Sequence, residues 1–214
     1  MWTPRQILGL LLGITAPAVV PAQGHAGHAG QATAPAAATA PLTRPSAADI
    51  AFLQGMIAHH AQAVEMVALV PTRTTRRELR LIAERIDVSQ RDEMQWMRDW
   101  LAEHGRAVSE AQDHAAVGHG EMGHASMSHG AMPGMLSPDA MVALTRATGL
   151  EFERRFLEGM IQHHEGALVM VRTLLGSDDA AQRSEIFAFA SDVDADQRAE
   201  IARMRRVLAS LPAR

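Results

Sequence analysis

Two short runs carry the side chains best suited to chemistry. Met56-Ile57-Ala58-His59-His60 and Met160-Ile161-Gln162-His163-His164 each set a thioether three residues ahead of a pair of adjacent imidazoles, and each is followed by a further methionine, Met66 or Met170. If the first run is helical, at about 100° per residue, Phe52, Met56, His59, Ala63, Met66 and Val70 share one stripe. Leu53, Ile57, His60, Val64 and Val67 share the next, while Gln54, Gln62 and Glu65 lie opposite and should face water. The second run repeats this, with Glu158, Gln162 and Glu165 outside and His163 and His164 inside. All four histidines thus fall on the apolar face. Burial there keeps an imidazole neutral, and neutral imidazole is the form that ligates a metal. Imidazole with thioether suits Cu(I), with silver as an alternative, whereas imidazole alone also serves Cu(II), zinc or nickel. The bland alternative is a histidine that only hydrogen-bonds inside the core, since a buried polar ring needs a partner. The duplication of the pairs together with their methionines favours metal.

Two further stretches hold looser donors. His114, His119, Met122, His124, Met127, His129, Met132 and Met135 interleave within a Gly-rich segment without apolar periodicity. Such a segment could wrap a metal, but it would have to order on binding and so should bind more weakly than a preformed site. Near the N-terminus stand His25 and His28. Cleavage after Ala22 would expose Gln23-Gly24-His25, whose amine, two amides and third-position imidazole form a square-planar set suited to Cu(II) or nickel.

Helices must position these groups. Among 214 residues, 47% are hydrophobic and 21% charged, enough for one ordinary domain or two small ones. Strand formers are sparse and Ala, Leu, Met, Arg and Glu abound, which predicts an all-α chain. A net charge of −4, the lack of Lys/Arg blocks and an aromatic content of 4% argue against nucleic-acid binding. Cysteine is absent against 11 His and 13 Met. Thioethers survive an oxidising compartment better than free thiols. Residues 1–22 read as a cleaved signal peptide: Arg5, an apolar stretch from Ile7 to Ile14 continued through Val20, then Val20-Pro21-Ala22. The expected location is therefore periplasmic or secreted, with no membrane span in the mature form.

Residues 23–45 read as a flexible, disordered tail of Ala, Gly, Pro and Thr. Ser46 and Asp49 open a first helix that should stop at Pro71. Thr75 and Glu78 form a capping box for a second, which ends at His104 and Gly105, completing a hairpin over 46–104. Residues 105–137 form the long His/Met-rich linker. Ser137-Pro138 restarts helix, with an interruption near Gly149, a turn at Gly176–Asp179 and a last helix to about Leu208, giving a second hairpin over 138–211.

An internal repeat joins the two halves. Phe52-Leu-Gln-Gly-Met-Ile-Ala-His-His60 recurs as Phe156-Leu-Glu-Gly-Met-Ile-Gln-His-His164, and Gln90-Arg-x-Glu93-Met94-x-x-Met97 recurs as Gln197-Arg-x-Glu200-Ile201-x-x-Met204. Two copies of a helical hairpin predict a four-helix bundle. The di-iron version of that bundle needs inward Glu-x-x-His, and the one such motif here, Glu121 to His124, lies in the Gly-rich linker.

The Met-Ile-x-His-His-x-x-Ala-x-x-Met pattern at 56–66 and 160–170, with the Gln-x-x-Glu segments at 90–97 and 197–204, resembles domain-of-unknown-function family 305 over about residues 48–104 and 150–211. The resemblance implies a ferritin-like bundle in a periplasmic or extracellular protein. Its better understood CopM-like members bind copper and aid resistance. Carried onto this chain, the implied ligands are His59, His60, His163 and His164 with Met56, Met66, Met160 and Met170. The leading expectation is a non-enzymatic copper binder acting in sequestration, chaperoning or resistance, with metal ions and periplasmic copper-handling proteins as partners. A metal-ion oxidase using the bundle site and a purely structural helical module are the alternatives. Oligomerisation, and whether the histidine pairs form one site or two, are left open.

Overall fold

The structure, a computed structural model, describes residues 44–106, 108 and 132–213. Helix α1 spans Ala47–Arg73, α2 Arg77–Glu103, α3 Pro138–Arg146, α4 Gly149–Leu175 and α5 Ser184–Ser210, and the described residues contain no strand. Long helices α1 and α2 form one hairpin and α4 and α5 the other, as the repeat predicts. The hairpins meet mainly along α1 and α4, while α2 and α5 touch sparsely. Short α3 packs against both α1 and α4. None of the described helices is long and apolar enough to cross a membrane.

Two of the three predicted caps form. Ser46 accepts from the Asp49 amide at 2.9 Å, and the Asp49 carboxylate accepts from the Ser46 amide at 3.1 Å, completing the capping box. Each such cap satisfies amides that the helix start leaves orphaned. Asp49 is buried because its other oxygen accepts from the Ala181 amide at 2.8 Å, which ties the α4–α5 turn to the start of α1. Ser137 caps α3 with Pro138 in its first turn. The interruption near Gly149 is also present, as the gap between α3 and α4.

Elsewhere tertiary contacts overrule the local signals. Pro71 does not end α1, which continues to Arg73. The capping box of Thr75 and Glu78 does not form; α2 starts after Arg76 with no side-chain cap. Thr74 organises the turn instead. Its hydroxyl accepts from the Arg76 amide and donates to Glu153 on α4, and Arg76 Nε donates to the other Glu153 oxygen at 2.8 Å. Glu153 is thus buried with both oxygens satisfied, as a buried charge requires.

Two apolar clusters fill the bundle. One holds Met66, Leu79, Ile82, Ile86, Phe152, Phe156, Met160, Ile201 and Met204. The other holds Phe52, Leu53, Met56, Met94, Met97, Trp100, Val171, Phe189 and Val193. Trp96 stacks on Phe189 at a centroid distance of 4.3 Å, and Phe52 meets the same ring edge-on at 6.5 Å.

Candidate functional site

His59, His60, His163 and His164 are all completely buried, as are Met56 and Met160, one helical turn ahead of each pair. Helical periodicity explains this placement. The His pair follows Met56 on α1 and Met160 on α4 by one turn, so each pair continues a stripe already committed to the core.

The hydrogen bonds fix the tautomers at the centre. His163 Nε2 donates to the backbone carbonyl of His59 at 2.9 Å, and His59 Nε2 donates to the carbonyl of Pro133 at 3.0 Å. A carbonyl only accepts, so both rings carry their proton on Nε2. The two rings lie 3.8 Å apart, centroid to centroid, across the α1–α4 contact. Burial, followed by repulsion from His60, lowers the His59 pKa to about 3, against the opposing bond to Pro133. His163 is also held well below its usual value, first by burial and then by repulsion from His59, His164 and His60. Both are neutral at physiological pH.

The outer histidine of each pair turns to its own hairpin. His60 Nε2 donates to a Glu93 oxygen at 2.5 Å, and His164 Nε2 donates to Glu200 at 2.7 Å. These bonds are the same contact in the two repeats. In all four rings Nδ1 is buried and lacks a hydrogen-bond partner in the protein. The buried repeat partners Gln90 and Gln197 also carry unpartnered amide atoms. A buried polar atom without a partner is rare and calls for an explanation.

A backbone strap closes this region. Gly134 adopts φ +78° and lies against Gly166: a Cβ on Gly166 would sit 2.0 Å from the Pro133 oxygen, and one on Gly134 would sit 2.5 Å from the Gln162 oxygen. Only hydrogen at both positions allows the approach that delivers the Pro133 carbonyl to His59. Gln62 grips the strap from α1, its amide donating to the Leu136 carbonyl at 3.0 Å and accepting from the Leu136 amide at 2.8 Å. The wheel assigned Gln54, Gln62 and Glu65 to solvent; all three are half-buried. For Gln62 the strap is the reason. The corresponding face of α4, with Glu158, Gln162 and Glu165, is exposed as expected.

Of the expected methionines, Met56, Met66 and Met160 are completely buried. Met170 is half-buried against the second cluster, with its methyl group 3.4 Å from the position a Cβ on Gly55 would take. Met66 makes the repeat-related approach to Gly159, also at 3.4 Å. Met132 and Met135 are half-buried in the strap. His25, His28, His114, His119, Met122, His124, Met127 and His129 lie outside the described residues, as does the signal segment 1–22.

The model of the family described as domain of unknown function DUF305 matches residues 49–208. The chain belongs to the DUF305 family. Among solved structures, a DUF305 fragment from Deinococcus radiodurans is 33% identical, with a TM-score of 0.65, covering 78% of this chain and 99% of that one. A DUF305 candidate secreted protein from Streptomyces coelicolor is 27% identical, with a TM-score of 0.64, covering 78% and 94%. CopM in its Cu(II)-bound form is 27% identical, with a TM-score of 0.58, covering 75% and 95%. CopM in its Cu(I)-bound form aligns at 23% identity and a TM-score of 0.57, covering 77% and 98%, a likeness of fold alone. A search of curated proteins finds no match.

The donor set of this DUF305 chain bears on what it could hold. Among the described residues, no three His, Asp or Glu side chains gather as a metal-holding group. The rings of His59 and His163 are neutral, and all four histidines leave a buried Nδ1 without a partner in the protein. A neutral imidazole nitrogen of this kind is a ligand for transition metals in general. The histidine layer was legible in the sequence. Its partners Glu93 and Glu200 do not follow from spacing within one helix, and their recurrence in the Gln-x-x-Glu segments is the one sequence signal that points to them. Pro133, Gly134 and Gly166 gave no signal short of the folded chain.

Proposed function

We propose that this protein is an exported copper binder that sequesters or passes on Cu(I), with copper as cargo. The observation that carries this reading is the set of four buried Nδ1 atoms, each lacking a partner, on histidines bordered in sequence by buried Met56 and Met160. Two of these rings are held neutral, the ligating form, before any metal arrives. Metal-bound forms of CopM, a similar fold, support copper as the cargo. The ligands in this reading are His59, His60, His163 and His164 with Met56, Met66, Met160 and Met170. The linker and tail donors act as weaker secondary sites for Cu(I) or Cu(II). The helical bundle is a container rather than a catalyst in this reading, and a binder consumes no oxygen during Cu(I) loading.

Competitive titration of the mature protein with Cu(I), Cu(II) and zinc, beside a variant lacking residues 114–131 that keeps the Pro133–Gly134 strap, tests the reading. Cu(I) preference should persist in the shortened variant, because the histidine layer and the strap that holds His59 are both retained. No Cu(I) preference in either protein would overturn it. One observation favours a structural role instead: each Nε2 already has a protein partner. On that reading, replacing all four histidines with alanine lowers thermal stability and leaves metal stoichiometry unchanged.

A further inference from the structure

We infer that Glu93 and Glu200 are positioning residues, which hold His60 and His164 as Nε2–H tautomers so that each presents its Nδ1 lone pair inside the bundle. The inference rests on the copper reading and adds to it the groups that prepare the donors. Neither carboxylate was among the expected ligands, and neither needs to touch a metal.

Geometry and symmetry carry the argument. Each carboxylate bonds Nε2 of the outer histidine of its own hairpin, at 2.5 Å from Glu93 and 2.7 Å from Glu200. Glu93 follows Gln90 by one helical turn, and Glu200 follows Gln197 in the same way, so the contact is written into both repeats. A free imidazole divides its proton between two nitrogens. An ionised carboxylate can only accept, so it recruits the proton to the nitrogen it faces. The other nitrogen, Nδ1, is then bare. Were Nδ1 to carry a proton, it would be a buried N–H with no acceptor, since nothing in the protein bonds it. An unmet buried donor costs about 1–3 kcal/mol, so the lone-pair form is the one this arrangement favours.

The inner histidines reach the same state by another route, through the carbonyls of Pro133 and His59. Carbonyl for the inner pair and carboxylate for the outer pair yield four rings of one tautomer. Such outer partners orient imidazole ligands and raise their basicity, and losing them weakens metal binding by roughly 10–100-fold. The carboxylates also stand at the less tightly closed side of the bundle. Glu200 lines an open groove between α2 and α5 with Asp92, Asp196 and Arg203. Asp196 lines the same groove, and its pKa is raised first by burial and then by Glu93, Glu200 and Asp192.

The test uses E93L, E200L and the double variant in the full chain. A leucine fills about the same space but cannot accept from Nε2, so neither ring nitrogen then has an acceptor and the proton divides between them. Long-range proton–nitrogen correlation spectra of the metal-free protein read the tautomer of each histidine. The expected result is a gain of Nδ1–H signal at His60 alone in E93L and at His164 alone in E200L. Cu(I) competition against a chromogenic chelator should then show affinity reduced by roughly 10–100-fold in the double variant. The single variants guard against misfolding, because the untouched dyad must keep its wild-type signature. A His60 that stays wholly Nε2–H in E93L, or a tautomer change without loss of Cu(I) affinity, overturns the inference. Failure of the wild-type protein to bind Cu(I) removes the copper reading instead, and the metal-free spectra separate the two failures.

Discussion

His163 donates its Nε2 proton to the carbonyl of His59, and the two rings lie 3.8 Å apart with neither Nδ1 bonded to the protein. The contact joins the repeats at their matching motif. It also commits two imidazoles to the neutral form, because neither can take up a second proton without burying an N–H that nothing accepts.

Acid should therefore unfold the metal-free protein through these rings. The folded-state pKa of His59 is about 3 against 6.5 for the free side chain, and that of His163 is also far below 6.5. The unfolded chain then binds more protons between those limits, so stability is full above pH 6.5 and is lost as pH falls below it. Each group contributes a slope of up to about 1.4 kcal/mol per pH unit. Urea unfolding at pH 7.5, 6.0 and 5.0 checks this. A flat midpoint between 6.5 and 5 would contradict the buried, neutral assignment.

His163→Leu separates stability from binding. The substitution removes one hydrogen bond and also one unpartnered buried nitrogen, effects of similar size and opposite sign. Thermal stability at pH 7.5 should change by no more than about 1 kcal/mol, and the acid sensitivity should shrink by one group's share. Cu(I) affinity should fall. A large loss of stability with unchanged metal binding would instead mark the histidine as structural.

These outcomes bear on what a sequence can disclose. The repeat, the inward stripe of Met56, His59 and Met66, and the caps at Ser46 and Ser137 rest on spacing within one helix or turn, and all are visible from residue order. The Glu93–His60 and Glu200–His164 bonds join different helices, so spacing alone could not pair them. Gln62 shows the same limit. Its position on the wheel is polar and outward, yet the strap lies over that face and gives the amide two backbone partners. The cap of Thr75 and Glu78 fails for a related reason: Glu153, from the other hairpin, holds Thr74 and Arg76 and so sets where α2 begins.

Asp49→Ala should cost more than a surface cap does. Ordinary cap removal costs about 1 kcal/mol, but Asp49 also holds the Ala181 amide at a residue with φ +50°. Loss of both roles should lower stability by about 2–3 kcal/mol, while the metal affinity of the distant histidine layer stays unchanged. Differential scanning calorimetry with a parallel Cu(I) titration reads both. A stability change under about 1 kcal/mol would show that the tie between α1 and the α4–α5 turn carries little.

Gly166→Ala provides the sharpest test of the strap. The new methyl carbon would sit 2.0 Å from the Pro133 oxygen and 2.7 Å from the Gly134 Cα, both backbone atoms that cannot swing aside. The strap must lift, and His59 then loses the acceptor that holds its proton on Nε2. The helix itself gains, since alanine favours helix over glycine by about 1 kcal/mol. A net destabilisation therefore isolates the strap's contribution. Amide exchange at Leu136, whose N–H donates to Gln62, should quicken in the variant, and the His59 tautomer should become mixed. Gln62→Ala should quicken the same amide without adding bulk beneath the strap. If Gly166→Ala instead raised the melting temperature and left Leu136 exchange slow, the close approach of Gly134 and Gly166 would not be what holds the Pro133 carbonyl on His59.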